Sequence, residues 1–163
     1  MRPLFPAATA DPTVSTTDWG GLAGPALALA AAELAAGHDG PVLVIAADQL
    51  AADALEAEIA WFAAAGVDTL HFPDLETLPY DSFSPHQDIV SERLRVLAAL
   101  QALRRGVVVV PAQSLLQRLP PTDYVAARSL ELSRGDTLDR DAFLERLAAS
   151  GYLRVPEVRE HGE

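Results

Sequence analysis

Two short, uninterrupted apolar runs constrain the fold more than any other feature of the sequence. One run is Pro41–Ala46, bounded by Gly40 and Asp48, and the other is Gly106–Pro111, which carries four consecutive valines. Apolar runs of this length without polar alternation are typical of strands that are covered on both faces of a parallel sheet. A shorter strand is predicted over 69–72. We therefore expect a parallel sheet in which the two long runs are buried on both faces.

Helical patterns separate these strands. Helices are predicted over about 24–36, 49–65 and 84–105, with a short helix over 112–119. At the start of the third helix, Ser84 is expected to be the N-cap, Pro85 the first helical residue and Gln87 the capping-box partner. The alternation of strand and helix predicts a doubly wound α/β domain over residues 17–119, preceded by an irregular arm over 1–16.

Pro120 and Pro121 mark the predicted boundary of a second unit, residues 120–163. In this unit, 128–133 alternates polar and apolar residues and predicts a strand, Asp139 is expected to cap a helix that ends near Gly151, and 152–155 begins another strand. About 43 residues are few for an independent core. We expect a small α+β domain that is incomplete, so that the chain is a fragment of a longer protein or is completed by another one.

The distribution of charge excludes several classes of partner. The formal net charge is −11, and all twelve basic residues are arginine. No lysine or arginine lies between Arg2 and Arg93, whereas fourteen acidic residues fall between Asp11 and Glu92. Nucleic-acid binding depends on cations that neutralise phosphates, so this stretch cannot follow a phosphate backbone by itself. The sequence also has no cysteine and no apolar run of the roughly 18 residues that a membrane helix needs, and it lacks a signal-peptide pattern. We expect a cytoplasmic protein with no membrane partner.

A nucleotide site would be expected where the first helix opens, at Gly20–Gly24. A phosphate-binding loop requires lysine followed by serine or threonine at the helix start. Pro25 and Ala26 occupy those places, and the chain contains no lysine at all. We therefore expect no nucleotide cofactor, no catalytic residues and no enzymatic activity for this chain alone.

Acidic residues and a histidine in the loop 74–88 offer an alternative. Carboxylate and imidazole groups could hold a divalent metal or share acid–base chemistry. Their spacing matches no metal motif, and turns or a helix start explain several of them. A metal-dependent hydrolase remains an alternative function, although no metal ligand is assigned. The residues in question are Asp74, Glu76, Asp81, His86 and Asp88.

The same loop carries a resemblance. Leu75 to Asp88, followed by Ser91, Arg93 and Leu94, is similar to the N-terminal region of the bacterial transcription-repair coupling factors, the Mfd family. Other segments resemble that region in the same order, so that the resemblance covers roughly residues 18–163. These segments are 40–46, 105–118, 133–136, 151–152 and 160–163.

The resemblance implies both a fold and a set of partners. Proteins of this family are ATP-driven DNA translocases that remove stalled RNA polymerase and recruit excision repair. Their N-terminal region is similar to the repair protein UvrB, and it contacts UvrA through a small inserted domain. For this chain the resemblance implies a RecA-like domain with a degenerate nucleotide site and UvrA as partner. RNA polymerase, double-stranded DNA, ATP and Mg²⁺ would belong to downstream domains. A UvrB-like DNA-binding helicase fragment is a further alternative, but UvrB carries an intact phosphate loop and an aromatic hairpin.

Arginines of the second unit are the candidate partner-binding residues, because arginine is favoured at protein interfaces. Six arginines lie there against nine acidic residues, a more even balance than in the preceding stretch. The leading candidates are Arg134, Arg146 and Arg154.

Overall fold

The computed structural model describes residues 18–78, 81–129, 132, 134–152 and 154–157. Across these residues the chain forms an α/β structure, and the helices and strands occur in an order that agrees with the sequence pattern. In chain order the elements are α1 (Ala26–Gly37), β1 (Pro41–Ala46), α2 (Gln49–Phe62), β2 (Asp68–His71), α3 (Gln87–Ala102), β3 (Gly106–Pro111), a 3-10 helix (Ala112–Leu116), α4 (Thr122–Arg128) and α5 (Arg140–Ala149). Of the described helices, none has the length and apolar character needed to cross a membrane.

The three strands form one parallel sheet in the order β1-β3-β2. Pro41 and Asp68 both lie opposite Gly106, so the strands begin in line and their carboxyl ends share one edge of the sheet. At Gly106 the strands approach so closely that an added Cβ would lie 2.5 Å from the carbonyl oxygen of Asp68. Only glycine fits this position without a shift of the backbone.

Helices cover both faces of the sheet, which confirms the doubly wound arrangement. On one face α1 and α2 pack on the sheet through a cluster that includes Ala28, Ala35, Ile59, Val107 and Val109. The alanines of α1 are small, and α1 packs closely against α2 and the sheet. On the opposite face, α3 contributes residues to a second cluster, which contains Leu70, Phe72, Val96, Leu97, Leu100 and Val110.

The prediction that β1 is buried on both faces is wrong. β3 is buried at every residue. In β1, by contrast, Leu43 and Ile45 are each 55% exposed. β1 lies at the edge of the sheet, and the second cluster contains residues of α3, β3 and the end of β2 but none of β1. An apolar run therefore marked a strand correctly without showing how much of it is covered.

The start of α3 also differs from the prediction. His86, not Ser84, is the N-cap, and its Nδ1 accepts a hydrogen bond from the backbone N–H of Asp88 at 3.3 Å. Gln87 is then the first helical residue, where it cannot act as a capping-box partner. Asp139 is confirmed as the predicted cap of α5, and Asp48 caps α2. The carboxylate of Asp48 accepts from Ala51 at the start of α2, and that of Asp139 accepts from Asp141 and Ala142 at the start of α5.

Sequence reasoning missed α4, which follows the two prolines. α4 packs against α3, and the side-chain amide of Gln101 donates to the carbonyl of Thr122 at 3.3 Å. Of the predicted strand over 128–133, residues 130, 131 and 133 lie outside the described residues, and Arg128 belongs to α4. At the predicted strand over 152–155, the described residues Tyr152, Arg154 and Val155 are not in a strand. The N-terminal arm over 1–16 lies outside the described residues, and the division at residues 119 and 120 stays a prediction.

Candidate functional site

The carboxyl ends of the three strands bring together side chains from distant parts of the sequence. In an open parallel sheet this edge is where ligands usually bind. Gln49 follows β1, Asp74 follows β2, and Gln113, Ser114 and Gln117 follow β3. We call these five residues the Asp74 cluster.

Asp74 is the centre of this cluster. Its carboxylate accepts hydrogen bonds from the side-chain amide of Gln113 at 3.0 Å, from the amide of Gln117 at 3.1 Å and from the hydroxyl of Ser114 at 3.3 Å. Its backbone N–H donates to Oε1 of Gln49 at 2.8 Å. Through its carboxylate and its backbone N–H, Asp74 therefore links the loop after β2 to the segments that follow both other strands.

The loop turns sharply just after Asp74. The backbone N–H of Glu76 donates to Oδ2 of Asp74 at 3.2 Å. Glu76 has a φ of 58°, in the left-handed region that residues other than glycine seldom adopt. A hydrogen bond from a backbone N–H to an aspartate two residues earlier is the kind of local contact that stabilises such a turn.

The electrostatics of Asp74 follow from these donors. Partial burial by itself raises the pKa of Asp74, but hydrogen bonds from Gln113, from the backbone of Glu76 and Leu75, and from Ser114 outweigh it, so the pKa is lowered overall. Asp74 is therefore ionised at neutral pH, and both of its carboxylate oxygens already accept hydrogen bonds. This suits a structural anchor better than a group that exchanges protons during catalysis.

Arg93 supports the loop from α3. Its guanidinium lies 4.0 Å from the ring centre of Phe72, and it donates a hydrogen bond to the carbonyl of Pro73. The side chain is buried. Burial lowers the pKa of Arg93, while the negative charge of Asp74 acts in the opposite direction. Arg93, the first arginine after the long stretch without lysine or arginine, is therefore buried and stabilises the interior.

His71, at the end of β2, packs against α2. Its Nδ1 lies 3.5 Å from a carboxylate oxygen of Asp53 and 3.5 Å from one of Glu56, and its Nε2 lies 3.2 Å from the amide nitrogen of Gln49. The side chain is only 13% exposed. His71 is therefore a packed residue at the junction of β2 and α2.

The candidate metal ligands of the acidic loop make local contacts in the part of the loop that the structure describes. Among the described residues no group of three or more histidine and carboxylate side chains is placed to hold a metal ion. Asp81 accepts from the backbone N–H of Leu78 at 2.7 Å, and His86 caps α3. Each candidate ligand with a described contact is therefore engaged in a turn or a helix start rather than directed at a common point.

The segment before α1 forms a glycine turn. Gly21 and Gly24 have φ values of 77° and 54°, and Pro25 precedes the helix without a side-chain cap. The residues that stand where a phosphate loop has lysine and a hydroxyl are Pro25 and Ala26, so the helix start offers neither group.

The three candidate arginines occupy separate places. Arg134 lies in an exposed turn before α5, Arg154 lies in an exposed segment without helix or strand, and Arg146 lies in the last turn of α5. The guanidinium of Arg146 donates to the carbonyl of Ser129 at 2.8 Å. Arg146 therefore ties α5 to the end of α4, whereas no described contact joins the three arginines to one another.

One feature of the sequence does indicate the Asp74 cluster, although it forms no motif. Each of its residues falls within seven positions of a predicted strand end, and the carboxyl ends of parallel strands meet at one edge. From its residue type and its loop, Asp74 is predicted only as a metal or acid–base group. Its neutral partners Gln113, Ser114 and Gln117 belong to no recognised motif.

Comparisons with known proteins converge on one kind of protein. The chain is 45% identical over 144 residues to a transcription-repair-coupling factor of Escherichia coli, a match that covers 88% of the chain and 12% of that protein. It is 47% identical over 96 residues to a protein of the same name from Haemophilus influenzae, covering 59% of the chain and 8% of that protein. A third, from Myxococcus xanthus, is 32% identical over 148 residues, covering 87% of the chain and 12% of that protein. The chain thus spans about an eighth of the length of these relatives, or less. No family model matches it.

Proposed function

Because the chain belongs to the transcription-repair-coupling factor family, as the counterpart of one segment of those proteins, we propose that it is a non-catalytic adaptor module that binds UvrA. In this proposal the parent protein is an ATP-dependent DNA translocase that displaces stalled RNA polymerase. The adaptor brings the excision-repair machinery to that motor. ATP, Mg²⁺, DNA and RNA polymerase are contacted by other parts of the parent protein.

The observation that best supports a non-catalytic role is the lack of a free cationic side chain among the described residues of the Asp74 cluster at the sheet's carboxyl edge. Phosphoryl transfer needs cations that neutralise the phosphates and groups that position them. Here Asp74 places a negative charge at this edge, its donors are neutral amides and a hydroxyl, and the guanidinium of Arg93 is held by Pro73 and Phe72. The chain has no lysine to add. Such an edge disfavours the binding of a nucleoside triphosphate.

A nucleotide titration tests the non-catalytic part of the proposal. A fluorescent ATP analogue with Mg²⁺ is titrated with the 163-residue chain. We expect no saturable rise in fluorescence anisotropy up to about 1 mM, the weak end of ordinary specific binding. Saturable binding at micromolar concentration, lost on addition of unlabelled ATP, would overturn a non-catalytic role.

The UvrA contact is assigned to the unit that contains α5. Arg134 and Arg154 are exposed, so their guanidinium groups can reach carboxylates of a partner, and Arg146 holds α5 against Ser129. In this arrangement Arg134 and Arg154 contact UvrA directly, and Arg146 positions the helix between them.

A binding measurement with matched charge reversals tests this assignment. The chain is immobilised and purified UvrA is titrated over it. Arg134→Glu with Arg154→Glu is expected to weaken binding about tenfold or more, because close opposite charges become like charges. Arg104→Glu with Arg105→Glu, two exposed arginines between α3 and β3, is the control and should change affinity by less than about twofold. No binding of UvrA to the folded chain would refute the adaptor role, and equal losses in both variants would refute the choice of surface.

A further inference from the structure

The most exposed large apolar side chains are concentrated at one end of the sheet. Among the described residues, five large hydrophobic side chains are at least 75% exposed: Leu50 at 79%, Trp61 at 80%, Leu78 at 75%, Phe83 at 82% and Leu116 at 88%. Trp61 lies in the last turn of α2, and this end of α2 is at the amino end of the sheet. The other four belong to segments at the carboxyl end, and we call them the apolar rim.

Hydrogen bonds of the Asp74 cluster place two of the rim residues, Leu50 and Leu116, beside the same loop. Leu50 follows Gln49, whose Oε1 accepts from the backbone of Asp74. Leu116 precedes Gln117, whose amide donates to the carboxylate of Asp74. Residues 66 positions apart in the sequence (50 and 116) therefore each follow or precede a residue that is hydrogen-bonded to Asp74.

The remaining two rim residues lie on the loop that Asp74 begins. The backbone N–H of Leu78 donates to Asp81, and the N–H of Asp81 donates to the carbonyl of Leu78, which closes a turn. Phe83 lies between that turn and His86, the cap of α3. These contacts restrain the backbone at Leu78, Asp81 and His86, and such restraint lowers the entropy that binding must overcome.

Charge around the rim is almost entirely negative. Exposed carboxylates lie on the same segments, at Asp48, Glu76, Asp81 and Asp88. No lysine or arginine occurs among described residues 18–92, the next arginine, Arg93, is buried, and Arg118 is the one exposed arginine within two residues of the rim. A surface that combines exposed leucine and phenylalanine with exposed carboxylates on the same segments repels nucleic acid and anionic lipid, and it is complementary to a basic apolar partner.

We propose that the apolar rim is a docking surface for a basic amphipathic helix of a partner protein. Leucine-type side chains of that helix pack on Leu50, Leu78, Phe83 and Leu116, and its lysines or arginines face the surrounding carboxylates. All four rim residues precede residue 120 and lie outside the arginine-bearing unit, and the proposal requires no contact with UvrA. Helix-in-groove recognition of this kind uses apolar anchors spaced along one helical face.

A pair of designed peptides tests the proposal. The first is a fluorescein-labelled helix of about 18 residues, five turns, with leucine on one face and lysine elsewhere, and the second replaces every lysine by glutamate. Fluorescence anisotropy is measured as the 163-residue chain is added. We expect saturable binding of the lysine peptide with one site per chain, and at least tenfold weaker binding of the glutamate peptide.

Variants locate the site. Leu50→Ser with Leu116→Ser should weaken binding of the lysine peptide about tenfold, because truncating two interface anchors typically removes at least one order of magnitude of affinity. Trp61→Ser removes an equally exposed apolar side chain at the far end of the sheet and should leave affinity within twofold. Far-UV circular dichroism and Tm confirm that all variants fold, as expected for changes at exposed positions.

Three results would overturn the proposal. Equal binding of the lysine and glutamate peptides would remove the charge complementarity, and equal weakening by Trp61→Ser and the double variant would show non-specific adhesion. Binding of the chain to phosphatidylserine vesicles, lost in the double variant, would make the rim a lipid contact instead. None of these outcomes bears on UvrA binding, which is tested separately.

Discussion

β1 and β3 have similar sequences but very different environments. Both are six-residue apolar runs, paired along their whole length as parallel neighbours. β3 lies between two strands and under helices on both faces, and all six of its residues are buried. β1 has one strand neighbour, and only Ala46 among its six residues is buried.

The difference shows that coverage is a property of the surroundings and not of the strand itself. Val42 and Val44 pack on the α1–α2 side of the sheet, whereas Leu43 and Ile45 point to the side on which α3 lies. α3 reaches Val110 of β3 and Leu70 and Phe72 at β2. The cost of a substitution in either strand should therefore follow position in the sheet and not residue type.

The same charge introduced into each strand should lower the free energy of unfolding by very different amounts. Val109 is 0% exposed, so Val109→Asp places an unpaired carboxylate in the α1–α2 cluster. We expect a loss of more than about 4 kcal/mol in the free energy of unfolding, or no cooperative folding at all. Ile45→Asp places the same group at a half-exposed position and should cost less than about 1 kcal/mol. Urea denaturation followed by circular dichroism measures both. If Ile45→Asp were as damaging as Val109→Asp, β1 would be covered in solution.

The close contact of β3 with β2 gives a second prediction. Gly106→Ala would place a Cβ 2.5 Å from the carbonyl oxygen of Asp68, so the strands must separate at their amino ends. We expect a loss of about 1–3 kcal/mol in the free energy of unfolding.

Gly37→Ala is the matched control for this change. Gly37 ends α1, and an added Cβ there would have no atom within 4 Å. That substitution should be neutral or should stabilise the protein by up to about 1 kcal/mol, because alanine restricts the unfolded chain. Similar losses in both variants would mean that β2 and β3 are not in close contact at this point.

Asp74→Asn tests the polar edge of the sheet. Asparagine offers one oxygen where the carboxylate offers two charged acceptors, so some of the donors from Gln113, Ser114, Gln117 and Glu76 lose their partner. We expect a loss of about 2 kcal/mol at pH 7.

The effect of Asp74→Asn should depend on pH in a definite direction. The pKa of Asp74 is lowered in the folded protein, so its ionised form stabilises the fold fully above the unfolded pKa of about 3.9. This contribution is lost as pH falls through the folded pKa. The difference between wild type and variant should therefore shrink as pH falls below about 4. Asp39→Asn, at an exposed position, is the control and should show no such difference. A difference that stays constant down to pH 2 would contradict the assigned role of the carboxylate.

Most of the fold could be predicted because it depends on local signals. The strands, helices and caps at Asp48 and Asp139 follow from apolar runs, periodicity and short-range hydrogen bonds. The cap of α3 could not be predicted, since Ser84 fits the cap rule better than His86 and the choice depends on how the preceding loop reaches the helix. α4 was missed because two prolines before it indicated a break, whereas prolines also commonly precede a helix.

The candidate site was less predictable because it consists of long-range contacts. Asp74 meets Gln113 across 39 residues and Gln49 across 25. The neutral amides that contact Asp74 belong to no sequence motif. The sequence therefore indicated a metal or acid–base role for Asp74, whereas in the structure its carboxylate holds the loop by hydrogen bonds. Likewise, the count of arginines could not distinguish Arg93, which is buried under Pro73 and against Phe72, from surface arginines such as Arg95.

Arg93 and Arg95 provide the smallest and most selective comparison, since they lie two residues apart on α3. Arg95 pairs with Glu92 on the surface, and this contact lowers the pKa of Glu92 and raises that of Arg95. Arg95→Met should cost about 0.2–0.5 kcal/mol, as expected for a helical ion pair, and less at 1 M salt. Arg93→Met removes a buried guanidinium from the Phe72 ring and from the Pro73 carbonyl, and we expect about 1 kcal/mol with little dependence on salt. Urea denaturation of both variants at 0.05 M and 1 M NaCl measures the two effects. A loss at Arg93 that disappears in high salt would show that the guanidinium acts at the surface and does not support the Asp74 loop from within.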